Sequence, residues 1–182
     1  HTNATFEEIN RAIRYGLSHF THTFNAMSPI HHRKPGAVTA ALSNKDVTAD
    51  MIVDGEHVDF SLIELVYHLK TKEKMLLISD CTGYNHLSSG NYHMRGKDLV
   101  KYENKITLKD GTLAGSIITL DKSLQYLVDE CHVPLEDAVY MITEGPRHAL
   151  GLSEKIGALR KGYAADFVIV DADLQVEKTF IN

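Results

Sequence analysis

Val47-Thr48-Ala49-Asp50-Met51-Ile52-Val53, closed by Asp54-Gly55, is followed further on by Met75-Leu76-Leu77-Ile78-Ser79, which delivers Asp80. Both are short apolar runs bounded by turn residues, the mark of strands buried on both faces. Between them Asp59 stands where a helix cap belongs, and Phe60, Ile63, Val66 and Leu69 recur at helical spacing on one side. Strand, helix and strand in that order predict a parallel βα unit, because parallel neighbours need a crossover that a helix supplies.

The same alternation runs back toward the N-terminus. Gly36 to Leu42 reads as a short helix, and Leu17 to Phe24 as a short apolar strand containing His19 and ending near His22. Before it, Thr5 and Glu8 have the spacing of a capping box, Phe6, Ile9 and Ile13 form one stripe, and Gly16 suits the helix stop. Beyond Asp80 the pattern changes. Thr82 to Ser116 is polar, Gly-rich and antiparallel in character, with Asp110-Gly111 as a turn. Two helices follow, one carrying Leu120, Leu124, Leu127, Val128 and Cys131, the next led by Pro134 and carrying Leu135, Val139 and Ile142. Strands return at Asp166 to Val170 and Leu174 to Phe180. The expected division is 1–153, the βα units with the antiparallel stretch and helices that follow them, and 154–182, a β tail.

Composition narrows the function classes. With 43% hydrophobic and 24% charged residues, the chain has the make-up of a soluble globular protein. No apolar run approaches the roughly 20 residues of a membrane-spanning helix. A net charge of −5 argues against a general nucleic-acid surface, but leaves room for a small anionic ligand held by one or two local cations. Cys81 and Cys131 cannot make a disulfide framework and read as free thiols of a reducing cytoplasm. The opening His1-Thr2-Asn3-Ala4 is polar and unlike a signal peptide; with no initiator methionine, the expectation is a chain that begins inside a longer protein.

Histidine is the unusual count, at 11. His1 precedes the first helix, while His22 and Asp80 fall at the ends of predicted strands, where a βα barrel places its working groups. Neutral imidazoles with a carboxylate suit a metal hydrolase. Each residue alone has a plainer reading: a strand-end histidine is often a hydrogen-bonded structural residue, and a strand-end aspartate often a helix cap. His19, three residues from His22, falls on the opposite strand face and reads as structural.

Longer motifs point further. Thr21-His22-Thr23-Phe24-Asn25-Ala26-Met27 resembles the T-H-x-[FY]-N-A-M signature of N-acetylglucosamine-6-phosphate deacetylases, and Arg33-Lys34-Pro35-Gly36 is similar to their R-x-P-G. Ile52-Val53-Asp54-Gly55-Glu56-His57-Val58 resembles I-x-D-G-x-H-V, Ser79-Asp80 the [TS]-D of the last barrel strand, and Gly111-Thr112-Leu113-Ala114-Gly115-Ser116 the G-T-L-[AS]-G-S loop. The tail, Gly157 through Asp171, is similar to the closing β element of amidohydrolases. These motifs keep the family's order over essentially the whole chain. The loop Cys81-Thr82-Gly83-Tyr84-Asn85-His86 departs from the small-residue run expected there.

The resemblance implies the C-terminal half of such an enzyme: strands five to eight of a (β/α)₈ barrel, plus a strip of an accessory β-sandwich. It implies a divalent metal, zinc or else iron, manganese or cobalt, with His1 and His22 as ligands and a third ligand, a Glu, in the other half. Asp80 becomes the general base that takes a proton from water and returns it to the departing amine. Asn25, the backbone at Ala26, Arg33 and His57 become contacts to sugar and phosphate, some shared across a homodimer, and Leu113, Ala114 and Gly115 line the sugar pocket. The implied reaction frees acetate from N-acetylglucosamine 6-phosphate, and a chain lacking the Glu is expected to be inactive alone. Two rivals stand beside this reading: another amidohydrolase, such as a deaminase or cyclic amidase, and a non-catalytic truncated or complementing fragment.

Overall fold

A computed structural model describes residues 1–182. The first helix, α1 (Phe6–Arg14), starts at the foreseen capping box: the Glu8 N–H donates to Thr5 Oγ1 and the Thr5 N–H to Glu8 Oε2. After β1 (His19–Phe20) come α2 (Ala37–Ser43), β2 (Thr48–Ile52), α3 (Phe60–Lys70) and β3 (Met75–Ile78). The three strands form one parallel sheet in the order β1-β2-β3, with Phe20 beside Ala49 and Ile52 beside Ile78. Every residue of β2 is buried, as a central parallel strand between helix-covered faces should be. The first expected strand is much shorter than Leu17–Phe24, because the backbone turns over at His22 with φ 35°. Where four barrel strands were expected, the sheet holds three, with one parallel bridge, Thr2 to Met27, near His1.

The main core packs Val38, Met51, Val53, Ile63, Val66, Met75 and Leu77 against helices α4 (Leu120–Asp129) and α5 (Leu135–Ile142). At ~25 cal/mol per Å² of apolar surface, each fully buried side chain of this size contributes about 1.5–3 kcal/mol. Two helices depart from expectation, α3 only at its last turn, where Phe60, Ile63 and Val66 face the core as expected but Leu69 does not, and α5 more broadly. On α3 the buried side chains are Ile63, Val66 and Lys70, while Leu62, Leu65 and Leu69 point outward. Lys70 is buried because its ammonium donates to the carbonyls of Ala41 (2.9 Å), Asn44 (2.6 Å) and Val47 (2.7 Å), which end α2 and begin β2. Burial pushes its pKa down to about 8. On α5, Ala138 and Met141 face the core, while Leu135 and Val139 stay exposed.

Between β3 and α4 the chain makes an antiparallel three-stranded insert, β4 (Gly90–Met94), β5 (Lys97–Lys101) and β6 (Ile106–Leu108), around Leu99, Ile106 and Ile117. A short α6 (Glu144–Ala149), not foreseen from sequence, follows α5. The tail pairs β7 (Phe167–Val170) with β8 (Val176–Phe180) as an antiparallel hairpin whose register shifts at Ile169/Val170. No helix is long and apolar enough to cross a membrane.

Candidate functional site

Parallel strands send their C-terminal ends the same way, so the residues after β1, β2 and β3 gather at one edge of the sheet. There lie His22, then Asp54 to His57, then Asp80. The backbone at this edge is unusual: His22 (φ 35°), Phe24 (φ 81°), Ala26 (φ 52°) and Asp80 (φ 44°) all hold positive φ. Non-glycine residues pay for that conformation, and such strain concentrates where side chains must be aimed.

His1 and His22 meet edge to face, with ring centroids 4.8 Å apart. Backbone pairing brings them together: Thr2 N–H donates to the Ala26 carbonyl (2.8 Å) and Ser28 N–H to that of Thr2 (2.9 Å). The His22 Nδ1 is buried and without a hydrogen-bond partner. A buried, unpaired imidazole nitrogen costs free energy unless something binds it, so this pair fits two nitrogen donors to a metal. No group of three or more His, Cys, Asp or Glu side chains assembles around them.

Two carboxylates that carried no role in the sequence reading shape this edge. Asp50, on β2 and 5% exposed, accepts from the backbone N–H of His22 and lies 2.8 Å from His19 Nε2. His19 also meets Thr48 Oγ1 at 2.7 Å, so it joins β1 to β2, the structural part expected of it. An Asp inside the otherwise apolar run Ala49 to Val53 was the available signal. Asp54 accepts the N–H groups of Glu56 (2.9 Å) and His57 (2.8 Å) on Oδ1, and meets His57 Nδ1 at 2.7 Å through Oδ2. Burial alone raises the Asp54 pKa, but the bonds from His57 and Glu56 outweigh it and hold the carboxyl below its ordinary value.

The remaining candidates are positioned less tightly. Asn25 is folded back on its own turn, with Nδ2 donating to the His22 carbonyl (3.1 Å). Arg33 is exposed and makes no ion pair; its loop is pinned at the base by Ser28, whose hydroxyl donates to the Ala4 carbonyl (2.6 Å) and accepts the Ala37 N–H (2.7 Å). Gly36 closes that loop because a Cβ there would fall 2.5 Å from the Ser28 carbonyl oxygen. Asp80 is exposed, and a parallel bridge from Cys81 to Ser116 sets Leu113, Ala114 and Gly115 beside the same strand end. Gly115 has φ +109°, and a Cβ there would lie 2.6 Å from the Thr82 methyl. Asp54 also lines a cavity of about 510 Å³ with Glu103, Asn104, Lys122 and Tyr126; His1, His22 and Asp80 do not line it. Cys81 and Cys131 are unpaired.

Comparison with known proteins gives this arrangement its context. All 182 residues match the model of the amidohydrolase family. An N-acetylglucosamine-6-phosphate deacetylase of Lysinibacillus sphaericus is 36% identical over 179 residues, 98% of this chain and 46% of the relative. An N-acetylgalactosamine-6-phosphate deacetylase of Shewanella sp. is 31% identical, across 100% of this chain and 46% of its own length. Among solved structures, a mutant N-acetyl-D-glucosamine-6-phosphate deacetylase of Mycobacterium smegmatis, in complex with N-acetyl-D-glucosamine 6-phosphate, superposes with TM-score 0.91. It is 32% identical, and the match covers 99% of this chain and 48% of that one. The chain spans about half the length of the curated relatives it matches. On these grounds the chain belongs to the amidohydrolase family, and the relatives it resembles from end to end are deacetylases of amino-sugar phosphates.

Proposed function

We propose that the chain is the second half of a metal-dependent deacetylase of amino-sugar phosphates, working in the cytoplasm. Residues 1–153 would supply barrel strands five to eight, and 154–182 a strip of the accessory β-sandwich. The complete protein hydrolyses the acetamide of N-acetylglucosamine 6-phosphate to glucosamine 6-phosphate and acetate. The observation that carries this reading is His22: its buried Nδ1 has no partner, its ring meets His1, and it stands at the same sheet edge as Asp80.

His1 and His22 would hold the divalent ion, zinc first among the candidates, with a third ligand from outside this chain. Such an ion, when bound, polarises the acetamide carbonyl and acidifies water. Asp80 accepts the water proton as the C–O bond forms and passes it to the amine nitrogen as the C–N bond breaks. The exposed position of Asp80 gives substrate access to it. Arg33, exposed and unpaired, suits the phosphate through its planar fork, within this subunit or across a homodimer. Asn25, the Ala26 backbone, His57 and the loop Leu113 to Gly115 complete the sugar pocket.

One observation favours a second substrate: two relatives named for N-acetylgalactosamine 6-phosphate match 182 and 183 residues, the whole of this chain. Steady-state kinetics of the full-length protein on both phosphorylated sugars, and on unphosphorylated N-acetylglucosamine, tests the proposal. Turnover lost on chelation and restored by zinc is expected, with Arg33→Ala raising KM about tenfold for the phosphorylated sugar alone, the loss of one charge-assisted contact. Turnover of cyclic amides or of deaminase substrates instead would place the chain elsewhere in the family. Full activity of the isolated half would refute the shared-site reading.

A further inference from the structure

The segment Asp54-Gly55-Glu56-His57 is bonded more densely than any other part of the sheet edge. The Asp54 and His57 side chains are 5% and 8% exposed, and Asp54 makes all three of its contacts within this one turn. Gly55 (φ +72°) makes the turn possible and sits against the Phe60 ring, where a Cβ would lie 2.8 Å from Cζ. From the far side Lys105 holds Glu56 at 2.9 Å and Asn104 bonds it too, so the insert braces the turn.

Bonding of this kind decides which nitrogen of His57 carries the proton. An ionised carboxylate has no donor, so the ring nitrogen facing it must be the N–H. We propose that Asp54 is a positioning residue that keeps the His57 proton on Nδ1, through the 2.7 Å contact, and so presents Nε2 as the edge that meets substrate. The contact with substrate rests on the functional reading above; the proton's location does not. Asp54 touches no reacting atom and acts only through His57.

Asp54→Asn separates positioning from scaffolding. The asparagine carbonyl can keep the place of Oδ1, which accepts the Glu56 and His57 N–H groups. Flipping the amide would set its NH₂ against those two donors, so the turn favours the unflipped form. Its NH₂ then faces His57 Nδ1, donor against donor, and the ring relieves the clash by moving its proton to Nε2. The test uses full-length protein labelled with ¹⁵N-histidine, with His57 assigned by loss of its signal in His57→Gln. At a pH where the ring is neutral, the wild type should show protonated Nδ1 and Asp54→Asn protonated Nε2, with the same melting temperature within error. KM for the phosphorylated sugar should rise about tenfold in Asp54→Asn while kcat changes less than threefold, as expected when one charge-supported contact is lost. The same tautomer in both proteins, or an unchanged KM beside a moved proton, would overturn the proposal. A wild type without turnover would refute the functional reading instead, and the tautomer measurement would still decide where the proton sits.

Discussion

β2 and β8 are strands of equal length with opposite surroundings. Each residue of Thr48–Ile52 is buried, and each residue of Val176–Phe180 is exposed. Both contain residues suited to a strand, so intrinsic preference does not separate them. What differs is cover. β2 has a parallel neighbour on either side and helices packed on it, whereas β8 has only β7, and a lone two-stranded ribbon is marginal in water. The candidate chemistry gathers at the end of the covered sheet. Positive-φ backbone at His22 and Asp80 is held by the packed sheet; the hairpin has one such residue, Leu174 (φ 59°), and it too is held by the core, through packing and the Gln125 amide.

That contrast predicts graded responses. The largest belongs to Asp80: in the full-length protein Asp80→Asn should lower kcat by about 10²–10⁴-fold with KM nearly unchanged, measured by acetate release. Wild-type turnover would remove Asp80 from proton transfer and leave the sheet edge without a base. Next comes the covered strand itself. Met51→Ala should cost about 3 kcal/mol in urea denaturation, since Met51 is fully buried in the main core. Lys70→Met should cost about 2 kcal/mol, because it strips partners from the carbonyls of Ala41, Asn44 and Val47 while keeping the bulk. An unchanged or raised midpoint would mean that water replaces the ammonium at those carbonyls. Smallest of all, Phe180→Ala in the isolated chain should change stability by no more than about 0.5 kcal/mol. Phe180 is 43% exposed and mainly stacks on Phe167, with ring centroids 4.5 Å apart. A cost several times larger in a longer chain would show that residues outside 1–182 cover the hairpin.

Sequence pattern carried the order of βα units, the α1 capping box and the antiparallel insert, because each rests on local spacing. It failed on helix faces. On α3 the spacing placed Phe60, Ile63 and Val66 on the inner face, as found, but continued the stripe to Leu69, where the structure turns Lys70 inward instead. Tertiary contact decided that last turn, since Lys70 has three carbonyls to satisfy while Leu69 stays half exposed. For the site, the motifs named His1, His22 and Asp80, and the structure brings His1 and His22 together. Asp50 was hidden because its partners, the His22 N–H and the His19 ring, reach it only when β1 and β2 lie side by side, whereas Asp54 bonds within its own turn, where the Asp-Gly-x-His spacing was in view but carried no assigned role.

The parallel bridge from Cys81 to Ser116 is tied at its base by Thr82, whose N–H (2.9 Å) and hydroxyl (3.0 Å) both donate to the Ser116 carbonyl. Everything between those residues is therefore a loop with a closed neck. Lengthening its far tip, the Arg95-Gly96 turn between β4 and β5, adds only about 0.6 kcal/mol of closure entropy per doubling of length. The strand end at Asp80 lies outside the neck, and Leu113 to Gly115 lie just within it. A lineage can thus rebuild the distal hairpin between β4 and β5, in size or in sequence, while the candidate edge keeps its geometry, provided that Asn104 and Lys105, which hold Glu56, stay in place.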